Sequence, residues 1–218
     1  MKIDYVSDIA CPWCAVGLHS LELAIKNLKG VVDVELRFHP YELNPGMALE
    51  GTDSGEYLRA KYGMSKEQLE SNRDNLRARG AAVGFHFGAM KQVWNTFDGH
   101  RLLHWAGIQS VELQRKLKHA LLDAYHNAGN NPADSAVLLE LAEKVGLNAV
   151  EAAEVISSGR YGDEVRAEEA YWQQAGIQSV PSIIINERHL ITGGQPPEVF
   201  EKILREIEAK DIEERGHA

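Results

Sequence analysis

Two periods of hydrophobic residues run through the start of the chain and predict a β-α-β unit. Ile3–Ser7 is a short apolar run that ends at Asp8, which is typical of a buried strand that leads into a loop. From Cys14 onward, apolar residues recur at steps of four and three and share one helical face: Leu18, Leu21, Ile25 and Leu28. A two-residue alternation from Val32 to His39 then predicts a half-buried strand. The connection is long enough for a right-handed crossover, so we expect the two strands to be parallel.

A helical pattern fills the middle of the chain. Residues 40–55 are typical of a loop, and no convincing strand pattern interrupts the helical stretch of more than a hundred residues that follows. Ser65 and Gln68 have the spacing of a capping box, and one apolar stripe consists of Leu113, Leu117, Leu121 and Ala124. Residues 131–134 should break the chain, and the later helices are predicted to end at Gly146, Gly159 and Gly176.

Strand character returns near the end of the chain. Residues 181–186 and His189–Thr192 are joined by a short turn, which predicts a β-hairpin. A final helix should begin near Pro197, with the charged tail beyond Lys210 frayed. The sequence therefore predicts three parts: a β-α-β part at 1–50, an inserted helical part at 51–176, and a hairpin and helix at 177–218.

Composition and charge narrow the classes of partner. Of 218 residues, 44% are hydrophobic, which is enough for a sizeable core, and the formal net charge is −9. The absence of basic runs argues against a nucleic-acid or anionic-membrane partner. No apolar stretch approaches the roughly 20 residues needed to span a bilayer. Residues 1–4 lack the long apolar segment of a signal peptide, so we expect a cytoplasmic protein.

The only two cysteines lie two residues apart, in Cys11-Pro12-Trp13-Cys14, where the first strand gives way to the first helix. Free N–H groups and the helix dipole stabilise a thiolate there, and the thiolate is the form that attacks disulfides. Cys14 shares the apolar face of the helix and should be buried, whereas the position of Cys11 at the helix tip favours exposure. In a reducing cytoplasm such a pair is expected to be redox-active or metal-binding.

Zinc and inert core thiols are the alternatives to redox chemistry. A zinc site needs about four ligands, and no further cysteine exists to complete one. Histidines could in principle contribute, and the candidates are His39, His86, His100 and His104. The motif and its context favour redox chemistry, with no metal.

Three motifs, the first of which contains the cysteine pair, together carry a family resemblance. These motifs are residues 7–14 (SDIACPWC), residues 95–102 (NTFDGHRL), and Val180-Pro181-Ser182 with residues 193–197 (GGQPP). The chain resembles the DsbA-like thioredoxin superfamily, and more closely its FrnE-like dithiol-disulfide oxidoreductases and isomerases. This resemblance implies an α/β thioredoxin fold with a large inserted all-α subdomain. Ala15 and Gly99 depart from the usual family residues, and the additional cysteine pair of some relatives is absent.

The resemblance also implies roles for individual residues. Cys11 is the expected nucleophile, in agreement with its place at the helix tip, and Cys14 the expected resolving thiol. Val180 and Pro181 are expected to share a cis peptide bond opposite the dithiol, where the Val180 backbone would hydrogen-bond an extended substrate. Pro12 and Trp13 should tune the thiol, and Trp13 could equally provide an apolar contact surface for substrate.

Two carboxylates are candidate proton acceptors for Cys14, because a buried acid near a dithiol can serve as its base. For Asp8 the alternative is a simple helix cap, and for Asp4 a solvated strand residue. We expect His19 to be a surface residue. The segment 95–102, with Trp94 and Trp105, is expected to cap and pack between the subdomains.

The leading functional hypothesis is a thiol-disulfide oxidoreductase or isomerase that acts on disulfides or dithiols of proteins or small molecules. It would need no bound cofactor, with glutathione as a candidate co-substrate. One alternative is a glutathione-dependent enzyme of the 2-hydroxychromene-2-carboxylate isomerase or kappa-class transferase type, against which the intact cysteine pair argues. The other is a peptide-binding chaperone module. The direction of electron flow, the physiological substrate and the oligomeric state are open at this point.

Overall fold

The computed structural model describes residues 1–216, and a four-stranded mixed sheet lies at its centre. The first half of the chain forms β1 (Lys2–Ser7), α1 (Pro12–Asn27), β2 (Glu35–Pro40), β3 (Thr52–Asp53), α2 (Ser54–Tyr62), α3 (Lys66–Ala82) and β4 (Gln92–Val93). The helical middle continues with α4 (Phe97–Gln109), α5 (Val111–Asp123), a π-helical turn (Ala124–Ala128), α6 (Ser135–Val145), α7 (Ala149–Ser158) and α8 (Gly162–Gln174). The chain then forms β5 (Ser182–Ile185), β6 (His189–Thr192) and α9 (Pro197–Gly216).

The strand order of the sheet is β2-β1-β5-β6. β1 and β2 are parallel, as the crossover argument predicts, and β5 and β6 form the predicted antiparallel hairpin. β2 begins three residues later than the sequence alternation, because Val32 instead forms an isolated bridge with Lys29. The predicted α/β fold with inserted helices is confirmed, while the exact limits of the three parts stay a prediction.

The two faces of the sheet are covered by different helices. In the register of the strands, Ile3 pairs with Leu36 and Ile185, and Tyr5 pairs with Phe38 and Ile183. The side chains of these residues join one buried apolar cluster with residues of α1 and α9, among them Leu18, Leu21, Phe200 and Leu204. The alternate residues of the same strands face α8, where Val6 contacts a cluster that contains Trp172 and Ile177.

The inserted helices pack around a core of their own, and local capping signals set many of their limits. Ser65 and Gln68 form the predicted capping box of α3, and Asn148 caps α7 through bonds from Val150 and Glu151. Gly146 and Gly159 end α6 and α7 with positive φ angles, which glycine adopts at little cost.

Two predictions about this region are wrong. The short strands β3 and β4 pair with each other inside the block predicted to be helical, although two residues each are too few to leave a periodic pattern. α9 continues to Gly216 instead of fraying beyond Lys210, and its charged residues suit a helix surface. The prediction for His217 and Ala218 lies outside the described residues. Within residues 1–216, no helix combines the length and the apolar character that a membrane crossing requires.

One glutamine of α5 joins the inserted helices to the sheet. The buried side-chain amide of Gln114 accepts a hydrogen bond from Phe38 N (3.2 Å) and donates one to Phe38 O (3.0 Å). Phe38 lies on β2, the edge strand beside β1. This pairing fixes the inserted block against the edge of the sheet.

Candidate active site

The dithiol lies at the N-terminus of α1. Cys11 is the N-cap residue with an extended backbone, Pro12 is the first helical residue, and Cys14 N donates to Cys11 O at 3.0 Å. Both thiols are reduced, and the burial of Cys14 is confirmed. The expected exposure of Cys11 is wrong, because only 4% of this residue is accessible. Position at a helix tip could not indicate burial, since the residues that cover Cys11 are far away in sequence.

The covering segment is the loop before β5. Val180 and Pro181 share a cis peptide bond, as predicted, and the Cys11 thiol lies 3.6 Å from Val180 O, to which it donates. Gly193 N donates to Pro181 O at 2.8 Å and fixes the loop from the hairpin side. The loop before the hairpin and the helix tip are therefore in direct contact at the sulfur of Cys11.

Two glycines permit this contact: Gly17, which the sequence reasoning missed, and Gly194, which it placed in a motif without a packing role. A Cβ atom on Gly17 would lie 3.1 Å from Pro181 Cγ and 3.2 Å from Gly194 Cα. A Cβ atom on Gly194 would lie 3.0 Å from Trp13 O. The signal that could have identified Gly17 is a glycine inside a helix, where it costs roughly 1 kcal/mol relative to alanine and so calls for a packing reason.

Burial and neighbouring groups distinguish Cys14 chemically. Desolvation raises the pKa of the Cys14 thiol well above its usual value, and the hydrogen bond and charge of Cys11 add to this rise. Lys118 and the backbone N–H of Asp8 oppose it. The Tyr5 hydroxyl donates to Cys14 O at 2.8 Å and holds the first turn of the helix on the sheet. Burial therefore favours the thiol form of Cys14, whereas the positive charge of Lys118 favours its thiolate form.

Asp8 is the buried carboxylate nearest the dithiol in sequence. It accepts hydrogen bonds from Leu43 N (2.8 Å), Thr96 Oγ1 (2.8 Å), Ala10 N (3.1 Å) and His100 Nε2 (3.3 Å). Burial alone would raise the pKa of Asp8, but His100 and the backbone donors outweigh it and lower the pKa. Asp8 therefore organises the loop before Cys11 and does not cap α1, which corrects the simple capping alternative.

Asp4 lies on the sheet face that α8 covers, and the interpretation of a solvated strand residue is wrong. Its carboxylate accepts a hydrogen bond from His39 Nε2 at 2.8 Å, and His39 Nδ1 donates to Glu168 of α8. His104 Nδ1 lies 3.3 Å from the other oxygen of Glu168. The candidate role as proton acceptor of Cys14 stays a prediction for Asp4 and for Asp8.

His19 packs against aromatic rings of the inserted block. His19 is half-buried against the rings of Phe85 (5.0 Å between centroids) and His119 (5.1 Å), so its expected surface position is wrong. The sequence could not show this, because Phe85 and His119 come from separate parts of the helical block. Within residues 1–216, no three His, Cys, Asp or Glu side chains converge in a metal-binding arrangement.

The segment 95–102 does more than pack and cap. Asn95 Oδ1 accepts from Phe97 N, as a helix start requires, but Thr96 and His100 both reach Asp8. α4 of the inserted block is therefore bonded to the loop that precedes the nucleophile. Spacing alone gave no sign of this contact between distant segments.

The open side of the dithiol is formed by Pro12 and Trp13, which are both half-exposed. The guanidinium of Arg79 lies 5.8 Å from the Trp13 ring centroid, and Arg79 Nη2 donates to Gly194 O at 3.0 Å. α3 of the inserted block thus contacts both the cysteine motif and the hairpin loop. Arg79 is a site neighbour that the sequence pattern did not identify.

The chain is similar to known proteins over most of its length. A family model described as the DSBA-like thioredoxin domain matches residues 2–205. The crystal structure of the probable DsbA oxidoreductase SCO1869 from Streptomyces coelicolor is 35% identical, with a TM-score of 0.85, and the match covers 94% of this chain and 89% of that one.

Two more distant structures share the fold. The cytosolic disulfide reductase DsbM from Pseudomonas aeruginosa with GSH is 20% identical, with a TM-score of 0.64, over 94% of this chain and 97% of that chain. A 2-hydroxychromene-2-carboxylate isomerase is 14% identical, with a TM-score of 0.72, over 98% of both chains. At these identities the similarity shows a common fold and leaves the chemistry to the residues of each site.

Proposed function

The chain belongs to the DsbA-like thioredoxin domain family, and from this premise we propose that it is a thiol-disulfide oxidoreductase or isomerase that works through Cys11 and Cys14. One observation carries the proposal: the Cys11 thiol at the tip of α1 is 3.6 Å from the carbonyl of Val180, beside the cis proline. An extended substrate that pairs with the Val180 backbone would place its own sulfur next to Cys11.

The reaction runs through a mixed disulfide. Cys11 thiolate attacks one sulfur of a substrate disulfide, a Cys11–substrate bond forms, and the other substrate sulfur leaves with the electron pair and takes up a proton. Cys14 loses its proton and attacks Cys11 Sγ, which breaks the mixed disulfide and releases the second substrate thiol. The substrate gains two electrons and the enzyme is left with a Cys11–Cys14 disulfide. The reverse sequence oxidises a substrate dithiol.

Pro12 and Trp13 are the proposed contact surface for the substrate, together with Val180 and Pro181. Trp13 is half-exposed at the mouth of the site, and the Arg79 guanidinium near its ring adds a positive charge there. We propose that disulfides flanked by carboxylates are accepted, glutathione disulfides among them. The description of DsbM as a cytosolic reductase solved with GSH supports this substrate class and a cytoplasmic location. Within this class, we propose that the protein acts as a FrnE-like dithiol-disulfide oxidoreductase or isomerase.

A glutathione-dependent isomerase is the second candidate, favoured by the TM-score of 0.72 to the 2-hydroxychromene-2-carboxylate isomerase. The two candidates differ in what they ask of Cys14. Disulfide exchange requires Cys14 for resolution, whereas an isomerase that uses bound glutathione has no need of a second thiol.

The test compares wild type with Cys11→Ser and Cys14→Ser in insulin reduction and in oxidative refolding of a reduced protein. We expect Cys11→Ser to lose activity at least a hundredfold and Cys14→Ser to accumulate mixed disulfides, detectable by mass spectrometry. The two variants are matched controls for each other, because each replaces one sulfur by oxygen on the same turn of helix. Full activity of Cys11→Ser would refute the proposal. Glutathione-dependent isomerisation of a 2-hydroxychromene-2-carboxylate that survives in Cys14→Ser would favour the second candidate.

A further inference from the structure

Lys118 of α5 is a buried cation that the proposed reaction does not yet use. The residue is 1% exposed and is among the largest fully buried side chains of the protein. Its ammonium makes no hydrogen bond or ion pair within 4 Å to any residue in the part of the chain that the structure describes. Burial without a counter-ion costs several kcal/mol, since the desolvation of the ammonium is not offset by a close partner.

The charged and titratable groups around Lys118 come from separate elements. Lys118 lines one cavity with His100, whose Nε2 lies 3.3 Å from the Asp8 carboxylate in the loop before Cys11. The charge of the ammonium acts on Cys14, Asp8 and Cys11, and on His126 of the π-helical turn. Desolvation lowers the pKa of Lys118, and the negative charges of Cys14 and Asp8 oppose that change. Reciprocally, Lys118 lowers the pKa of the Cys14 thiol. Asp8 already accepts four hydrogen bonds, so the thiol is the neighbour whose charge can change.

A cavity of about 230 Å³ gives Lys118 contact with water on the side away from the substrate. It is lined by residues of β2, α4, α5 and α8, including Lys118, His100, His39, His104 and Glu168. Neither the two cysteines nor Val180 and Pro181 contribute to its walls. With a share of about 30 Å³ per water molecule, the cavity has room for several. Lys118 therefore approaches the dithiol from the inserted block, while substrate approaches from the hairpin side.

We propose that Lys118 is a positioning residue whose ammonium stabilises the Cys14 thiolate in the resolving step, with the adjoining cavity as its contact with water. The inference rests on the proposed dithiol exchange. In that step Cys14 gives up its proton as its sulfur attacks Cys11 Sγ, and the departing substrate sulfur takes that proton up, so no net proton is consumed. The positive charge of Lys118 offsets the negative charge on Cys14 while both groups are shielded from solvent.

The test replaces Lys118 by Met, which keeps the unbranched side chain except for its terminal ammonium and so removes the charge. Lys116→Met is the matched control, because Lys116 is an exposed residue of the same helix that pairs with Glu112 at 3.7 Å. Two quantities are measured: the rate at which Cys14 displaces glutathione from Cys11, and the equilibrium of the dithiol with a glutathione redox buffer. Lys118→Gln and Lys118→Arg are measured in parallel, so that a folding defect in one variant leaves the test intact.

We expect Lys118→Met to slow resolution about tenfold at pH 7, to shift the rate profile to higher pH, and to leave the attack by Cys11 within threefold of wild type. The equilibrium with the glutathione buffer should shift by less than about threefold, because burial keeps Cys14 a thiol in the reduced protein and Lys118 acts on the thiolate formed during resolution. The denaturation midpoint should stay or rise, because an unpaired buried charge is removed, and Lys118→Arg should retain most of the rate. A merely structural lysine would instead lower the midpoint and leave the pH profile in place.

An unchanged resolution rate and pH profile in folded Lys118→Met and Lys118→Gln would overturn the inference, even if the wild type exchanges disulfides normally. A second measurement tests the electrostatic role of Lys118 without requiring disulfide exchange. In a Cys11→Ser background, ionisation of Cys14 is followed by thiolate absorbance, and removal of Lys118 should shift it to higher pH. If this shift occurs while the wild type exchanges no disulfide, the proposed function fails and the electrostatic role of Lys118 stands.

Discussion

The two faces of the central sheet are built on different physical principles. Toward α1 and α9 the strands present apolar side chains such as Ile3, Phe38 and Ile183 to a dry core. Toward α8 the same strands present Asp4 and His39, and the His39 ring is hydrogen-bonded to Asp4 on one side and to Glu168 on the other. One face is stabilised by the removal of apolar surface from water, and the other depends on the pairing of buried charges.

This difference has a consequence for where chemistry can be placed. A packed apolar face offers few groups that change charge, whereas the inserted helices contribute His100, which bonds Asp8 in the loop before Cys11, and Lys118, whose charge acts on Cys14. In physical terms the apolar face fixes the position of α1, and these side chains of the inserted helices set the charge around its cysteines.

The largest expected effect concerns the apolar face. Phe200→Ala empties a fully buried site between α9 and the sheet and should lower the free energy of unfolding by about 3–5 kcal/mol. Chemical denaturation measures the loss. Disulfide exchange, assayed well below the melting temperature, should stay within threefold of wild type, since the polar side is untouched.

Val150→Ala is the control, because Val150 is 79% exposed on α7 and its truncation should change the unfolding free energy by less than about 0.5 kcal/mol. A loss below about 1 kcal/mol for Phe200→Ala would contradict the description of this face as the main source of stability.

An intermediate effect is expected on the polar face, with a characteristic dependence on pH. The pKa of Glu168 is lowered to about 2 by His104 and His39, although burial opposes this change. Its contribution to stability is therefore present above pH 4.5 or so and is lost as pH falls toward 2. The pKa of His39 is raised by Asp4 and Glu168 against the effect of burial, so its contribution is present below about pH 6.5 and is lost as pH rises through that raised pKa.

Glu168→Gln should thus cost about 1–3 kcal/mol, with the largest difference from wild type between about pH 4.5 and 6.5 and a smaller one on either side. Denaturant titrations across this range measure it. Glu140→Gln, at an exposed position of α6, should show a small and pH-independent change. A flat difference for Glu168→Gln would show that the carboxylate is not paired with charged histidine.

The smallest expected effect concerns Tyr5, which has a ring in the apolar core and a hydroxyl bonded to the dithiol segment. Tyr5 belongs to the apolar cluster, but its hydroxyl donates to Cys14 O at 2.8 Å. Tyr5→Phe removes this bond and keeps the ring, so the unfolding free energy should fall by about 0.5–1.5 kcal/mol. The exposed Tyr62, at 55% accessibility, provides the control substitution.

Hydrogen exchange of the first turn of α1 gives a second measurement for Tyr5→Phe. Faster exchange there, with unchanged exchange in α9, would locate the effect at the dithiol. An equal loss of protection in both helices would instead assign Tyr5 to the apolar core alone.

Periodicity predicted the elements well where burial and backbone pairing repeat along the chain. The crossover from Ile3–Ser7 through the Cys14 helix to the second strand, the hairpin after Pro181 and the caps at Ser65 and Asn148 all follow from local patterns. The same rule explains the error at Asp4. A polar residue on alternate strand positions is expected to face water, yet α8 covers that face and supplies the partner at Glu168 through His39.

The sequence predicted the residues of the site that belong to motifs, but it did not predict the residues that surround them. Cys11, Cys14 and the cis bond before Pro181 belong to recognisable motifs. Lys118 lies about 100 residues beyond the motif and Arg79 about 65 residues beyond it, both on helices of the inserted block. A single lysine or arginine on a helix has the pattern of a solvated side chain. The burial of Cys11 was missed for the same reason, because the loop that covers it is distant in sequence.

The pairing of Gln114 with Phe38 bears on how the protein avoids self-association. β2 is an edge strand, and free N–H and C=O groups on such an edge can recruit a strand from another molecule. The Gln114 amide presents one donor and one acceptor to the Phe38 backbone, much as a neighbouring peptide unit would. A side chain of the inserted block thereby occupies backbone groups of the edge strand that could otherwise pair with another molecule, which disfavours aggregation through this edge.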